Sequence, residues 1–220
     1  AGLPIRPTVL NAEQGTRESA AQMQNVSKLG CRCRIGETGG PEGDLMMSAA
    51  LPRDESKRLM RLRQLEVLDT AAEPLFDSLT RTASLVCDAP IALISLIDAG
   101  RQWFKSNVGL EGYSETPRDI AFCAHAILQA GVMEVPDTAI DERFAQNPLV
   151  TGQPGIRFYA GAPITLSDGL RIGTLCVIDR RARQLDNRQR QALAALADGV
   201  ANALEQRLVA LDRTAAHQRQ

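Results

Sequence analysis

Histidine is almost absent from this chain, with two residues, His125 and His217, among 220. One imidazole ahead of the C-terminal tail is too few for an ordinary zinc site, which needs three or four ligands. No apolar run reaches the 18 or more residues of a membrane-spanning helix, and the N-terminus lacks the basic-then-apolar pattern of a secretory signal. Neither sign of charge dominates: 25 Lys and Arg stand against 26 Asp and Glu, a formal net charge of -1. That balance leaves no electrostatic footprint for nucleic acid and no basic stripe for a membrane surface. The five cysteines (Cys31, Cys33, Cys87, Cys123 and Cys176) are odd in number and lack framework spacing. That argues against a disulfide scaffold, and a reducing cytoplasm is expected, with the last three as small buried hydrophobes. Also missing are a nucleotide-binding glycine loop, a kinase phosphoacceptor block and a cyclase motif, so no output activity is visible.

What is present divides unevenly. Residues 1–50 have clustered glycines and no sustained period, and are expected to be disordered or appended, with Met46 or Met47 as a native start. The pair in "CRCR" has no further ligands nearby. Residues 51–212 are expected to form one ordered domain and 213–220 a tail. Leu59, Leu62, Leu65 and Leu68 predict a helix beginning near Asp54. "DTAAEP" breaks it, and Leu75, Phe76, Leu79, Ala83 and Val86 predict one apolar face of a second helix, which ends before Pro90. "PIALISLID" reads as a buried central strand, Ala99-Gly100 as a tight turn and "RQWFKS" as its antiparallel partner. Thr116-Pro117-Arg118-Asp119 has the form of a helix start that would carry "IAFCAHAIL". "GVMEVPD" predicts a short strand. Residues 138–155 form a long polar connection of the kind often functional, with about one helical turn in it. "IRFYAGAPITL" and "RIGTLCVID" predict strands joined through "SDG", and Leu193, Leu196, Val200, Leu204, Leu208 and Leu211 a long amphipathic helix. The fold class expected is mixed α/β (α+β): a mainly antiparallel sheet with the N- and C-terminal helices on one face.

"DIAFCAHAIL" sets Cys123 two residues from His125. In a helix such residues point about 200° apart and cannot grip one metal or act as a nucleophile pair. Cys123 then falls with Ile120, Ala124 and Ile127, and His125 lies on the flank of that face. Cys123 is expected in the core, while His125 either bonds backbone or faces a ligand cavity. In a strand the two would share a face.

Five stretches, "SLIDAGRQWFKSNVGL", "RDIAFCAHAIL", "VPDTAIDERFAQNPLVTG", "IRFYAGAPI" and "GTLCVID", occur in this order and resemble the GAF domain. The likeness covers roughly residues 54–210 and is to the bacterial subgroup found beside histidine kinases and cyclic-di-GMP enzymes. It implies a cavity for a small molecule, roofed by loops and short helices on the sheet face away from the terminal helices. It also implies a sensory or regulatory role transmitted through those helices, as a homodimer, to a histidine kinase or diguanylate cyclase in the same protein or in trans. The Asn-Lys…Phe…Asp-Glu pattern of cyclic-nucleotide binders is absent, and so are the Asp-rich and paired-His surroundings of bilin binders. No cofactor is expected. A cysteine-using enzyme of the same fold, similar to methionine sulfoxide reductases, is the alternative, as is a purely structural dimerisation module.

Residues read as candidates for the pocket wall are Trp103 and Phe104, which alternate on a strand, with Arg101 and Lys105 sharing the parity of Trp103. Cys123, His125, Phe144 and Cys176 join them. Arg157 and Tyr159 share a strand face suited to an anionic ligand, or Arg157 pairs with Asp137 or Asp141. Asp137, Asp141 and Arg143 are spaced for ligand contact or for a loop whose side chains bind backbone amides. Gly161 and Gly173 mark close approaches within strands. Leu175 and Val177 share one face, and Thr174 and Cys176 the other, facing either the helices or the cavity.

Overall fold

A computed structural model describes residues 48–217, except for the side chains of 211, 212 and 214–217. The expectations for residues 1–47, including the "CRCR" pair and the native start, lie outside the described residues. Twelve elements follow in order. Helices α1 (Glu55–Gln64) and α2 (Pro74–Cys87) precede strands β1 (Ile91–Ile97), β2 (Arg101–Val108) and β3 (Glu115–Pro117). A single 3-10 turn (Arg118–Ile120) leads into α3 (Phe122–Ala126) and β4 (Met133–Val135). The one-turn helix α4 (Pro148–Thr151), strands β5 (Phe158–Thr165) and β6 (Arg171–Asp179), and helix α5 (Asn187–His217) complete the chain. Helix α5 runs past the tail boundary expected at 212.

The six strands form one antiparallel sheet in the order β3-β2-β1-β6-β5-β4. All seven residues of β1 are buried, as its apolar run predicts for a strand covered on both faces. One face carries Ala92, Ile94, Leu96, Ala160, Ala162, Leu175 and Val177 against Leu62, Leu65, Phe76, Leu193, Val200 and Leu204 of the helices. The apolar stripe of α2 is rotated from the one expected: Leu75 and Val86 are exposed, and Phe76, Thr80, Ala83 and Cys87 point inward. Thr80 tolerates burial because its hydroxyl donates to the Phe76 carbonyl one turn back. Among the described residues no helix is long and apolar enough to cross a membrane.

Two details fix the sheet edge. The register between β1 and β2 shifts so that Ser95 faces Phe104 while Ile94 faces Ser106. Lys105 is thus the extra residue of a β-bulge, and both Lys105 and Ser106 reach the helical side. The Lys105 ammonium, fully buried, donates to Thr70 Oγ1, the Ala71 carbonyl and Glu73 Oε1. Glu73 also accepts from Arg207 of α5 at 2.7 Å. In the middle of the sheet, a Cβ on Gly173 would lie 2.0 Å from the Ser95 carbonyl oxygen, so the β1–β6 approach requires glycine there.

The helix expected to start at Thr116 is a correction. Thr116 is buried in β3 with its hydroxyl against Gln102, and pairing to the sheet edge claims it before it can cap a helix. The 3-10 turn follows, then Ala121 is extended (φ -80, ψ 121), and α3 begins only at Phe122.

Candidate functional site

The face of the sheet away from the long helices is covered by α3, against which Phe144 of the loop before α4 stacks and to which Asn147 ties that loop. Strand alternation sends Leu93, Ser95, Phe104, Tyr159, Thr174 and Cys176 toward this roof. Of the two directions open to Cys176, it takes the roof side, with its sulfur 3.8 Å from that of Cys123 on α3. The Tyr159 hydroxyl donates to Cys123 Sγ at 3.3 Å. The Tyr159 ring lies over Gly161, where a Cβ would fall 2.1 Å from the phenolic oxygen. The Phe122 ring stacks on both Phe144 (4.1 Å between centroids) and Tyr159 (5.2 Å). His125 meets the edge of Phe144 at 4.9 Å and is only partly buried, whereas Cys123 is 2 % exposed. The two diverge, as helical spacing requires.

These thiols differ in their electrostatics. Burial alone would push the Cys123 thiol up. The polar groups around it, Cys176 first, then Thr174, Tyr159 and Ser95, outweigh that and hold it below the usual thiol range, at about 7. The contact with Cys123, then burial, pushes Cys176 well up, and burial does the same to Tyr159. Cys87, on the helical side, is raised to about 11, chiefly by burial. Ser95 and Thr174, both fully buried, have no hydrogen-bond partner for their hydroxyl oxygens within ordinary geometry. Among the described residues no three His, Cys, Asp or Glu side chains converge as a metal would require.

The eleven residues expected to wall one pocket fall into three places. Cys123, His125, Phe144, Tyr159 and Cys176 meet beneath the roof, and Phe122 fills the space among them. Beneath the roof the Phe122–Phe144 and Phe122–Tyr159 stacks lie beside the two sulfurs as an aromatic and thiol cluster. Asp137 and Arg157 form a bidentate pair at the rim of the roof, as do Asp141 and Arg143. Asp137 also accepts from the Ala139 amide and Asp141 from the Arg143 amide, so both acids shape the loop. Arg157 and Tyr159 do not form an anion site together: Arg157 is half-exposed in its ion pair and Tyr159 is fully buried. Trp103 belongs to the helical-side core. With Phe104, Asp77, Arg81, Asn107 and Tyr113 it lines a separate open recess of about 650 Å³ at the sheet edge.

Phe122, Ser95 and Thr174 escaped the candidate set. Strand parity would have found the last two, since Thr174 sits two residues from Cys176 and pairs with Ser95. The residue linking roof and helices was also missed. Glu55 of α1 accepts from Arg58 (2.7 and 2.8 Å) and from Arg118 (2.5 Å), which immediately precedes the roof. Arg118 also donates to the carbonyls of Asp98 and Ala99 in the β1–β2 turn. Burial would raise the Glu55 carboxyl, but the two guanidiniums reverse this and hold it at about 2. On the roof's other flank, Asn147 donates to the Ile120 carbonyl while accepting from the Leu149 amide as the N-cap of α4. Arg171 of β6 donates to the Ile127 carbonyl just past α3.

Comparison with known proteins agrees with this architecture. A cyclic di-GMP phosphodiesterase from Pseudomonas aeruginosa is 46% identical over 138 residues, which are 63% of this chain and 23% of that protein. The chain thus spans less than a quarter of that relative's length. The PixJ GAF domain of Thermosynechococcus elongatus, in its blue-light absorbing form, superposes with a TM-score of 0.52 at 18% identity, covering 72% of this chain and 93% of that one. The GAF domain of an Acinetobacter phosphoenolpyruvate-protein phosphotransferase gives 0.51 at 16% identity, covering 71% and 95%. At these identities the two structures share the fold. The family model described as GAF domain matches residues 71–204, more than half of the sequence. An antiparallel sheet with its terminal helices on one face and a short-helix roof on the other, together with that match, places the chain in the GAF domain family.

Proposed function

We propose that this GAF domain is a non-catalytic regulatory module of a cyclic-di-GMP signalling protein. A stimulus acting at the roof-side cluster is passed to the terminal helices of a cytoplasmic homodimer. The observation that carries the reading is the Glu55 bridge. A single carboxylate on α1 holds both Arg58 of its own helix and Arg118 of the roof turn, so displacement of α3 pulls on the first helix. The relative named a cyclic di-GMP phosphodiesterase supports the choice of output. The exposed apolar residues Met60 on α1, Leu75 and Leu85 on α2 and Val209 on α5 support pairing through the helical side.

A small molecule would act by entering beneath α3 and parting the Phe122–Phe144–Tyr159 stack, with Cys123, His125 and Cys176 as its nearest polar contacts. In the same reading Asp137, Asp141, Arg143 and Arg157 hold the roof loop in shape around the entry, while Trp103 reports on the helical side of β2 and Phe104 on its roof side. Native mass spectrometry of the purified chain tests this. The expected spectrum is a dimer carrying a small-molecule mass that is lost on denaturation, or acquiring one from a metabolite extract. A bare monomer under both conditions would overturn the reading. A bound ligand at a hundredfold its Kd should also stabilise the fold by about 2.7 kcal/mol in thermal melts.

A further inference from the structure

We infer that Cys123 and Cys176 are a redox-active dithiol that closes to a disulfide when the protein meets a peroxide. This deepens the regulatory reading above, on which its signalling consequence rests, by naming a stimulus for the roof-side cluster. The two sulfurs lie 3.8 Å apart although 53 residues separate them in sequence, and they join different layers, the roof helix α3 and the central strand β6. Both are buried, and both are free thiols. Their surroundings are not those of inert core cysteines. The Tyr159 hydroxyl donates to Cys123 Sγ, and the unpartnered hydroxyls of Ser95 and Thr174 are buried on the same face. This polar surrounding, with one hydroxyl donating to the sulfur, favours a thiolate at Cys123, in line with its lowered pKa. Cys87 provides the internal contrast. It lies on the other face, its thiol donating to the Gln189 carbonyl at 4.0 Å, and burial pushes it to about 11.

The chemistry balances with a hydroperoxide as the named oxidant. The Cys123 thiolate attacks one peroxide oxygen and the O–O bond breaks. The departing hydroxide takes up the proton that Cys123 gave up, leaving as water, and Cys123 becomes a sulfenic acid. The Cys176 sulfur then attacks the sulfenic sulfur. The S–O bond breaks, the S–S bond forms, and the hydroxyl leaves as water with the Cys176 proton. Two thiols are oxidised by two electrons in total, hydrogen peroxide is reduced to two waters, and a dithiol reductant reverses the change. Peroxide reaches the pair when α3 lifts. That helix has five residues and is fastened by side-chain packing and a few hydrogen bonds rather than by a strand ladder. Closing the sulfurs from 3.8 Å to a bond of about 2 Å draws α3 onto β6, and the adjoining turn carries the pull to Arg118 and Glu55.

The test uses the full 220-residue chain with C31S and C33S, reduced and then titrated with hydrogen peroxide. Samples are quenched with N-ethylmaleimide under denaturing conditions and mapped by peptide mass spectrometry. The expected result is loss of two of the three remaining thiols, a Cys123–Cys176 linked peptide pair that dithiothreitol dissolves, and Cys87 still alkylated. With C176S, dimedone should instead trap a sulfenic acid at Cys123. Cys123 and Cys176 both remaining thiols after Cys87 has reacted would overturn the proposal. So would the same over-oxidised Cys123 with or without C176S. Amide exchange across 55–64, compared between reduced and oxidised protein, separates the two readings. A disulfide without any change there upholds the dithiol and removes its link to α1. No disulfide, in a protein that still binds a small molecule, removes the dithiol and leaves the regulatory reading standing.

Discussion

The two faces of the sheet are built from different materials. Toward the long helices the contacts are mainly aliphatic: leucines, valines and alanines from α1, α2 and α5 interlock with β1, β5 and β6 in one cluster, with Phe76, Trp103 and Phe158 set among them. Toward the roof they are aromatic rings, thiols and hydroxyls, held by short helices and loop ion pairs. Aliphatic packing rewards rigidity, and the polar groups buried on that side, Lys105 and Thr80, are satisfied by hydrogen bonds. The roof has buried donors and acceptors that depend on one another, and its covering elements can move without unzipping a strand. The difference suggests a division of work, with the helical side storing stability and the roof side storing responsiveness.

Substitutions can break or sharpen that contrast. Phe76→Ala, on the aliphatic side, should cost about 4 kcal/mol of global stability in denaturant titration. Phe144→Ala, on the roof, should cost less, about 3 kcal/mol, because short elements can collapse into the gap. Its signature is local: amide exchange should quicken across 118–127 while β1 and β6 keep their protection. Equal acceleration across the sheet would erase the division.

Glu55→Gln should cost about 2 kcal/mol at neutral pH, since it strands the buried Arg58 and weakens the hold on Arg118. The pH dependence sharpens this. The folded carboxyl sits at about 2 against an ordinary 4.5. As pH falls through 4.5 the unfolded chain takes up a proton that the folded chain refuses. The stabilisation is therefore complete above 4.5, declines as pH falls and is gone below about 2. The Gln variant should show a shallower loss of stability across that window, measured by urea midpoints at several pH values. The smallest effect belongs to Thr174→Val, which replaces an unpartnered buried hydroxyl with a methyl group and should raise stability by up to about 1 kcal/mol. A clear fall in the melting temperature would instead show that this hydroxyl is bonded in solution.

Local signals carried most of the fold. The apolar run of β1, the Ala99-Gly100 turn, the "SDG" hairpin and the leucine row of α5 each state their own structure through period and turn chemistry, and all appear where expected. The errors arose where distant residues decide. The face of α2 is chosen by the sheet and the long helix it packs on, and Thr116 goes to the sheet edge because β2 is there to receive it. The bulge at Lys105 depends on the loop at 70–73, which supplies its partners. The candidate cluster was legible in part: the parity of Thr174 and Cys176 was visible in one strand. The Cys123–Cys176 meeting was not, because it joins separate elements across 53 residues, and the filling of the roof by Phe122 depends on where the Phe144 loop folds back.

Glu73 has a further consequence. It is the residue just before α2, it neutralises the buried Lys105 of β2, and it grips Arg207 two-thirds of the way along α5. Three elements that enter from different directions are thereby indexed to one carboxyl group. The heading of the 31-residue helix α5 is set like a spoke pinned near its rim, so a small slip of the β2 edge swings the far end through a larger arc.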